Sequence, residues 1–341
     1  MSKDPRDPYD VVVIGGAFSG SSAALLLRRW NPDARILVVE RTEAFDRKVG
    51  EATVEISAFF LHRVLGLHEL LAREHLPKHG LRYWFHRDQE STLEEMSEAG
   101  PSEVPRLPAY QLDRSRLDES LIEDARREGI DVLRPARIRS VDLDWPLSTV
   151  AVEPSRGARR EVGCRWVLDG SGRHAFLARR LRIRRRIEEH PTAAAWGRWR
   201  GAADLDGREI QGRDPRAPRL DPIPPARGLA TNHFCGHGYW IWTIPLSDGA
   251  TSVGVVWDKS LFELPEGEGL EERYRRFVLG HPGVREILAP ATPVPDDFRA
   301  YSHLPYTTDR YMDRGWALLG DAASFLDPYY SAGLDHASIS V

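Results

Sequence analysis

The sequence has 341 residues, of which 41% are hydrophobic and 29% charged, with a formal net charge of -4. This composition excludes a disordered or collagen-like chain, the net charge argues against a nucleic-acid binder, and the length predicts about two domains. With only two cysteines, Cys164 and Cys235, the chain cannot form a disulfide framework, and it has no CxxC pair that could bind a metal, so we expect a cytoplasmic protein without a metal. No apolar run reaches about 18 residues, so we expect no membrane span.

The chain opens with a strand, a glycine-rich turn, a helix and a second strand. Residues 10–14 are a β-branched run, 15–20 contain the glycines, 21–30 are rich in alanine and leucine, and 35–40 form the next apolar run. This order over about 30 residues is typical of a dinucleotide-binding unit.

Later segments alternate between helix and strand patterns. They predict helices at 54–72, 117–129 and 271–279, strands at 81–85, 131–133, 165–170 and 316–319, and hairpins at 141–152 and 240–257. Residues 201–229, rich in proline, glycine and charge, predict a loop or insertion. A last helix starts after Gly333 and reaches Val341 uncapped, which predicts that further C-terminal helices are missing. The pattern indicates an α/β fold.

The turn after the first strand is a candidate cofactor site. A pyrophosphate needs backbone N–H groups and the positive end of a helix. Gly15 and Gly20 permit a tight turn, Ala17 replaces the usual middle glycine, and Glu40 ends the second strand, where it would accept hydrogen bonds from a ribose diol. The candidate residues here are Gly15, Gly16, Ala17, Ser19, Gly20, Glu40 and Arg41.

Three later segments support a flavin dinucleotide. Gly320 and Asp321 follow an apolar strand, Arg114 precedes a predicted helix, and Asp169 begins a turn. In this order they resemble segments of the p-hydroxybenzoate-hydroxylase-type FAD proteins that lie near the ribitol, the phosphates and the adenosine. The resemblance implies a Rossmann-like FAD-binding domain with a parallel sheet, made of 1–80, 105–175 and 301–341, and a substrate domain with a mixed or antiparallel sheet, made of 81–104 and 176–300.

Three motifs narrow the resemblance. A W-x-W-x-I-P signature contains Trp240, Trp242, Ile244 and Pro245, an F-x-x-P-x-x-S-x-G signature contains Pro328, Ser331, Ala332 and Gly333, and a G-E-x-T segment contains Glu51. These motifs resemble the flavin-dependent halogenases. The resemblance implies that Glu51 and Pro328 lie at the FAD.

The resemblance also implies roles for the signatures. Trp240 and Trp242 point to the same face of a strand and, with Ile244 and Pro245, would form a dry wall between flavin and substrate. The alternative is a pair of core tryptophans. Backbone N–H groups at Ser331, Ala332 and Gly333 would hold chloride or bromide. The alternative there is an ordinary loop before the last helix.

Lys78 is the candidate catalytic residue. The chain has only four lysines, Lys3, Lys48, Lys78 and Lys259. The resemblance implies that an amine at this position holds hypohalous acid or forms a haloamine. A solvated lysine is the alternative, and Lys48 is a rival for the role.

The implied reaction is the halogenation of an electron-rich phenolic, pyrrole or indole ring. Reduced FAD would come from a separate NAD(P)H-dependent flavin reductase, and a flavin hydroperoxide would convert halide to hypohalous acid. Tyr330 replaces the glutamate of tryptophan-specific relatives, which disfavours free tryptophan, so a small aromatic or carrier-bound substrate is expected. A phenolic substrate would need a base, for which Glu51, His79 and Asp335 are candidates.

Other interpretations remain open. The same motifs are compatible with a monooxygenase or a flavin reductase of the same fold, or with a flavin-binding remnant. The arginines at 182 and 184–186 predict a solvated strand edge or a docking patch for an acidic carrier protein. His233, Cys235 and His237 flank a predicted turn and lack the spacing of a zinc site.

Overall fold

The computed structural model describes residues 8–207, 210 and 225–341, so most of the predicted proline-rich loop lies outside the described residues. The strands are β1 (Tyr9–Ile14), β2 (Ile36–Val39), β3 (Leu76–Pro77), β4 (Leu81–Phe85), β5 (Ser97–Ala99), β6 (Tyr110–Gln111), β7 (Asp131–Leu133), β8 (Ala136–Asp142), β9 (Ser148–Pro154), β10 (Arg160–Asp169), β11 (Arg184–Arg186), β12 (Thr192–Arg200), β13 (Thr231–Gly236), β14 (Tyr239–Pro245), β15 (Ala250–Asp258), β16 (Thr292–Pro293), β17 (Arg299–Tyr301), β18 (Tyr306–Thr308), β19 (Met312–Asp313) and β20 (Trp316–Leu318). The α-helices are α1 (Phe18–Trp30), α2 (Glu55–Phe59), α3 (His68–Glu74), α4 (Arg114–Arg127), α5 (Phe176–Arg180), α6 (Leu270–Gly280), α7 (Pro282–Leu288) and α8 (Ala332–Ser340).

The first sheet is built around five parallel strands. Its order is β19-β20-β10-β1-β2-β7, with β9 and β8 added antiparallel beside β10. Ile14 lies opposite both Val39 and Asp169, and Asp169 lies opposite Leu318. Because the carboxyl ends of parallel strands meet at one edge, the turns after β1, β2, β10 and β20 become neighbours.

The second sheet has the order β16-β12-β15-β14-β13-β4-β5, with β17 also paired to β12. All its pairs are antiparallel except β13–β4. Trp242 lies opposite Gly254 on β15 and opposite His233 on β13, which confirms the predicted tryptophan hairpin. The expected fold class, a parallel sheet together with a mostly antiparallel one, is confirmed.

Two parts of the sequence prediction need correction. The single helix expected at 54–72 is α2, a π-helical turn Phe60–Val64 and α3. Gly66 ends the first stretch because it adopts φ +76°, a left-handed conformation that glycine tolerates. Strands β12 and β13 had not been predicted; His233 and Cys235 lie in β13, which leads directly into the turn at 237–238. Within the described ranges, no helix is long and apolar enough to cross a membrane.

Candidate active site

The turn between β1 and α1 is shaped by two glycines. Gly15 has φ +88°, and a Cβ on Gly20 would lie 1.9 Å from the Gly15 carbonyl oxygen. Any side chain at Gly20 would therefore force the strand and the helix apart. The tight packing brings the first turn of α1 to the edge where the parallel strands end, and the Phe18 N–H there donates to Asp118 Oδ1 at 3.1 Å.

Glu40 is held by the backbone at the same edge. Its Oε2 accepts a hydrogen bond from the Gly16 N–H at 2.8 Å, and its Oε1 accepts from the Thr42 N–H and hydroxyl, each at 2.8 Å. These contacts fix the orientation of a carboxylate that also borders the central cavity. The exposed Arg41 borders the same cavity.

The turns after β10 and β20 use their aspartates differently. Asp169 is fully buried and accepts hydrogen bonds from the N–H groups of Ser171 (2.9 Å) and Leu177 (2.7 Å), so it shapes its own turn and does not line the cavity. Asp321 does line the cavity, and burial raises its pKa to about 6 despite the opposing charges of Arg173 and Arg114.

A cavity of about 970 Å³ connects the edge of the first sheet with a face of the second. This is near the upper end of small-molecule sites. The sequence-predicted residues that line it are Gly15, Ala17, Ser19, Glu40, Arg41, Glu51, Arg114, Trp240, Trp242, Ile244, Asp321, Pro328, Ser331 and Gly333. Those that do not are Gly16, Gly20, Lys78, Asp169, Pro245, Gly320 and Ala332.

The lining fits a flavin dinucleotide. Nη1 of Arg173 and Nε of Arg114 are buried without a hydrogen-bond partner, and both residues line the cavity. Unpaired buried guanidinium N–H groups are costly unless an acceptor such as a phosphate satisfies them. A long ligand with anionic and hydroxyl groups would complete these donors and the Asp321 carboxylate. No cluster of three or more potential metal ligands occurs in the part of the chain that the structure describes.

Glu51 belongs to a buried ionic triad that the sequence did not reveal. Its Oε1 lies 2.5 Å from Arg198 Nη2, and Arg198 Nη1 lies 3.0 Å from Asp297 Oδ1. Glu51 and Arg198 are only 1% and 3% exposed. Burial raises the pKa of Glu51 against the opposing charge of Arg198. The triad links the cavity wall at Glu51 to β12 of the second sheet.

Three indoles form the adjoining wall. The rings of Trp240 and Trp242 are 5.8 Å apart, and that of Trp196, which the sequence analysis missed, lies 6.4 Å from Trp242. Trp242 Nε1 donates to Ser252 Oγ at 3.2 Å. All three indoles line the cavity. We call Trp196, Trp240 and Trp242 the indole wall.

An aromatic cluster adjoins the indole wall at Trp240. It consists of Tyr83, His233, Trp240 and Tyr329, in which His233 lies 5.1 Å from Tyr83 and 5.3 Å from Trp240. His233 is buried with its Nδ1 unpartnered. Burial, followed by the nearby charge of Lys78, lowers the pKa of His233 to about 3. Its place between two aromatic rings follows from the β4–β13–β14 register, which sequence spacing alone does not give.

Lys78 is buried and only 3% exposed. Its Nζ donates to the Thr53 carbonyl at 2.7 Å, and its backbone N–H donates to the Ala109 carbonyl at 2.8 Å. Burial lowers the pKa of Lys78 to about 7, although the negative charges of Glu55 and Asp335 oppose the shift. At neutral pH the amine is therefore present in both protonation states.

Lys48, the rival lysine, has a different environment. It lines the cavity, and its Nζ lies 3.3 Å from Oδ2 of Asp118, a carboxylate that also pairs with Arg114. Its side chain is 40% exposed. Lys48 thus lies near the turn between β1 and α1, whereas Lys78 adjoins His233.

The turn before α8 contains a strained serine. Ser331 adopts φ +58°, which is uncommon for a residue other than glycine, and its N–H donates to the Pro328 carbonyl at 2.9 Å. Ser331 and Gly333 line the cavity, whereas Ala332 is exposed and Tyr330 is 62% exposed. The turn therefore presents the N-terminal end of α8 to the cavity.

Comparisons with known proteins agree with this geometry. The family described as "FAD binding domain" matches residues 8–211. The chain belongs to this family. The expected resemblance to flavin-dependent halogenases is also confirmed. Flavin-dependent halogenase chlA of Dictyostelium discoideum is 28% identical over 96% of this chain and 57% of its own length, and tryptophan 2-halogenase of Chondromyces crocatus is 27% identical over 95% and 58%.

Solved structures show the same fold. Halogenase PltM in complex with phloroglucinol and FAD has a TM-score of 0.80 at 20% identity, covering 97% of this chain and 67% of that one. Flavin-dependent brominase Bmp2, as a triple mutant, has a TM-score of 0.77 at 23% identity, covering 97% and 77%. The chain spans about three fifths of the length of the curated relatives it matches.

Proposed function

We propose that this chain is the FAD-binding and lysine-bearing part of a halogenase that acts on electron-rich aromatic rings. The observation that carries the proposal is a buried lysine whose pKa is about 7, close to an indole wall that lines a dinucleotide-sized cavity. The similarity to halogenases over nearly the whole chain supports it.

FAD would be held by the edge of the first sheet. The α1 turn would receive the pyrophosphate, Glu40 the ribose, and Asp321 the ribitol, while Arg114 and Arg173 would donate their unpaired N–H groups to anionic oxygens. When bound and reduced, FAD supplies the oxygen activation that oxidises halide to hypohalous acid. We propose that an NAD(P)H-dependent flavin reductase provides the reduced form.

The remaining steps would depend on side chains and backbone of the chain itself. The N–H groups of Ala332 and Gly333, in the first turn of α8, would hold chloride or bromide, whereas the N–H of Ser331 already donates to the Pro328 carbonyl. The indole wall would keep an organic substrate away from the flavin. Lys78 would then hydrogen-bond hypohalous acid and direct it to a ring carbon, for which a mixture of ammonium and amine at neutral pH is suitable.

The relatives support an aromatic substrate. One is named sulochrin halogenase, another tryptophan 2-halogenase, and a neighbouring structure contains phloroglucinol. Tyr330 stands where the resemblance places the glutamate of tryptophan-specific relatives, so we propose a phenolic or carrier-bound ring rather than free tryptophan. We also propose that the two sheets define two domains with the boundaries expected from the sequence, although Leu177 and Ala178 pack in the core of the first sheet.

In the test, purified protein is incubated with reduced FAD, oxygen, bromide or chloride, and members of a panel of phenols, pyrroles and indoles. Halogenated product by mass spectrometry is expected, and Lys78→Met should abolish it while flavin binding remains. Lys259→Met, on an exposed lysine whose Nζ donates to the Ser302 carbonyl at 2.8 Å, is the matched control. Lys48→Met tests the rival lysine. Products carrying oxygen instead of halogen would establish the monooxygenase alternative and refute the proposal.

A further inference from the structure

The segment that holds Lys78 is the beginning of α2. The Lys78 ammonium donates to the carbonyl of Thr53, two residues before the first residue of this helix. Thr53 is itself fixed, because its N–H donates to the Tyr110 carbonyl at 3.0 Å. The position of the amine therefore depends on how the start of α2 is anchored.

A side chain from α8 provides that anchor. Asp335 Oδ1 accepts a hydrogen bond of 2.8 Å from the N–H of Ser57, in the first turn of α2. This N–H has no partner within the helix, because the first four amides of a helix lack one. Ser57 is fully buried and Asp335 is half-buried, so water does not readily replace the contact.

We propose that Asp335 is a positioning residue for Lys78: it caps α2, thereby fixes the Thr53 carbonyl that holds the amine, and places a negative charge near it. Asp335 lies one helical turn after Ser331, at the start of the same helix α8. The turn at Ser331 and the lysine are thus connected through one carboxylate. This inference rests on the proposed function for its catalytic meaning but not for its contacts.

The charged and titratable groups around Lys78 are few. Glu55 on α2 and Asp335 on α8 favour the ammonium form of Lys78, whereas burial disfavours it. The neighbouring His233 on β13 is neutral at physiological pH because its pKa is lowered to about 3. Removing one carboxylate should therefore leave the amine more often unprotonated near neutral pH.

The test uses the protein labelled with ¹³C at the lysine ε carbon. With four lysines, each signal can be assigned by a single Lys→Arg change, and the Lys78 signal should titrate near pH 7. Asp335→Asn keeps an acceptor oxygen for Ser57 but loses the charge. It should lower the Lys78 midpoint by about 0.5–1 pH unit, less than the effect of a direct ion pair. Glu55→Gln should shift the midpoint in the same direction.

Asp335→Ala removes both the charge and the cap. It should lower the Lys78 midpoint as Asp335→Asn does, and it should reduce the yield of halogenated product more than Asp335→Asn does. The asparagine variant should therefore retain part of the activity that the alanine variant loses. The control is Asp313→Asn, on an exposed carboxylate of β19, which should leave the midpoint unchanged. An unshifted Lys78 midpoint in Asp335→Asn, or an equal shift in Asp313→Asn, overturns the inference even if alanine fails to fold.

The two hypotheses fail separately. If the Lys78 midpoint responds to Asp335 as described but wild-type protein forms no halogenated product, the proposed function is refuted and the positioning role stands. If product forms, the pH profile of its yield should shift to lower pH in Asp335→Asn, in parallel with the lowered Lys78 midpoint. A pH profile that stays fixed while the product yield falls contradicts the positioning role.

Discussion

The indole wall can be perturbed without replacing any indole, by adding one methyl group at Gly254. A Cβ at this position would lie 2.1 Å from Cζ2 and 2.3 Å from Cη2 of Trp242. Carbon atoms pack at about 3.5–4.0 Å, so the ring must move by roughly 1.4 Å or more. Trp242 has little freedom to do so, because it is hydrogen-bonded to Ser252 and packed against two other indoles.

The expected cost of Gly254→Ala follows from these contacts. Overpacking costs about 1–3 kcal/mol, and loss of the Trp242–Ser252 hydrogen bond adds about 1 kcal/mol. We therefore expect the free energy of unfolding to fall by about 2–4 kcal/mol. The displaced ring should also weaken flavin binding, because Trp242 lines the cavity. Urea unfolding followed by tryptophan fluorescence measures the first effect, and flavin titration measures the second.

Two variants make the test decisive. Gly280→Ala is the matched control, because a Cβ there meets nothing within 4 Å, and its unfolding free energy should change by no more than about 1 kcal/mol. Adding Trp242→Phe to Gly254→Ala removes the clashing ring atoms, so the double variant should recover part of the loss. Gly254→Ala with wild-type stability, or a double-mutant cycle without coupling, would refute the packing described for the wall.

Three further predictions concern buried polar groups. Lys78 has a folded-state pKa of about 7 and an unfolded value of 10.5. The unfolded chain therefore binds more protons between these pH values, and the stability of the wild-type protein rises as pH increases through them. The free energy of unfolding of Lys78→Met, measured with urea and compared with wild type, should accordingly be more favourable at pH 6 than at pH 9 by roughly 2–3 kcal/mol. Asp169→Ala leaves two buried N–H groups unpaired and should cost about 2–5 kcal/mol, whereas Asp169→Asn should cost less, as thermal unfolding would show. Arg198→Met leaves Glu51 and Asp297 without their shared partner and should destabilise by about 3–5 kcal/mol, with the loss reduced at low pH where the carboxyls are protonated.

The cofactor side of the site was largely predictable from the sequence. Parallel strands end at a common edge, so a strand–turn–helix unit is enough to bring Gly15 and Glu40 together, and a later apolar strand brings Asp321 to the same place. Alternation along a strand similarly put Trp240 and Trp242 on one face. These inferences need only local periodicity and one topological rule.

The rest of the site, which includes the ionic triad, Trp196 and Lys78, depends on long-range contacts that sequence periodicity does not encode. Arg198 contacts Glu51 across 147 residues, and Trp196 joins the wall only because β12 pairs with β15. The alanine-rich sequence before Trp196 gave a weak strand signal. Lys78 stands between a proline and His79-Gly80, a context typical of an exposed loop, so its burial could not be predicted from neighbouring residues.

Charged groups are held differently at the start of α1 and around His233, and under the proposed function this has a chemical reason. Near α1, Lys48 and Arg114 both pair with Asp118. Around His233, burial raises the pKa of Tyr83 to about 12 and also raises the pKa of the Cys235 thiol, so both groups stay protonated near neutral pH. Thiolates and phenolates are far more nucleophilic than the protonated groups. An oxidant held at Lys78 would therefore meet these side chains in their least reactive form, so that a substrate ring made more electron-rich by its own environment would react first.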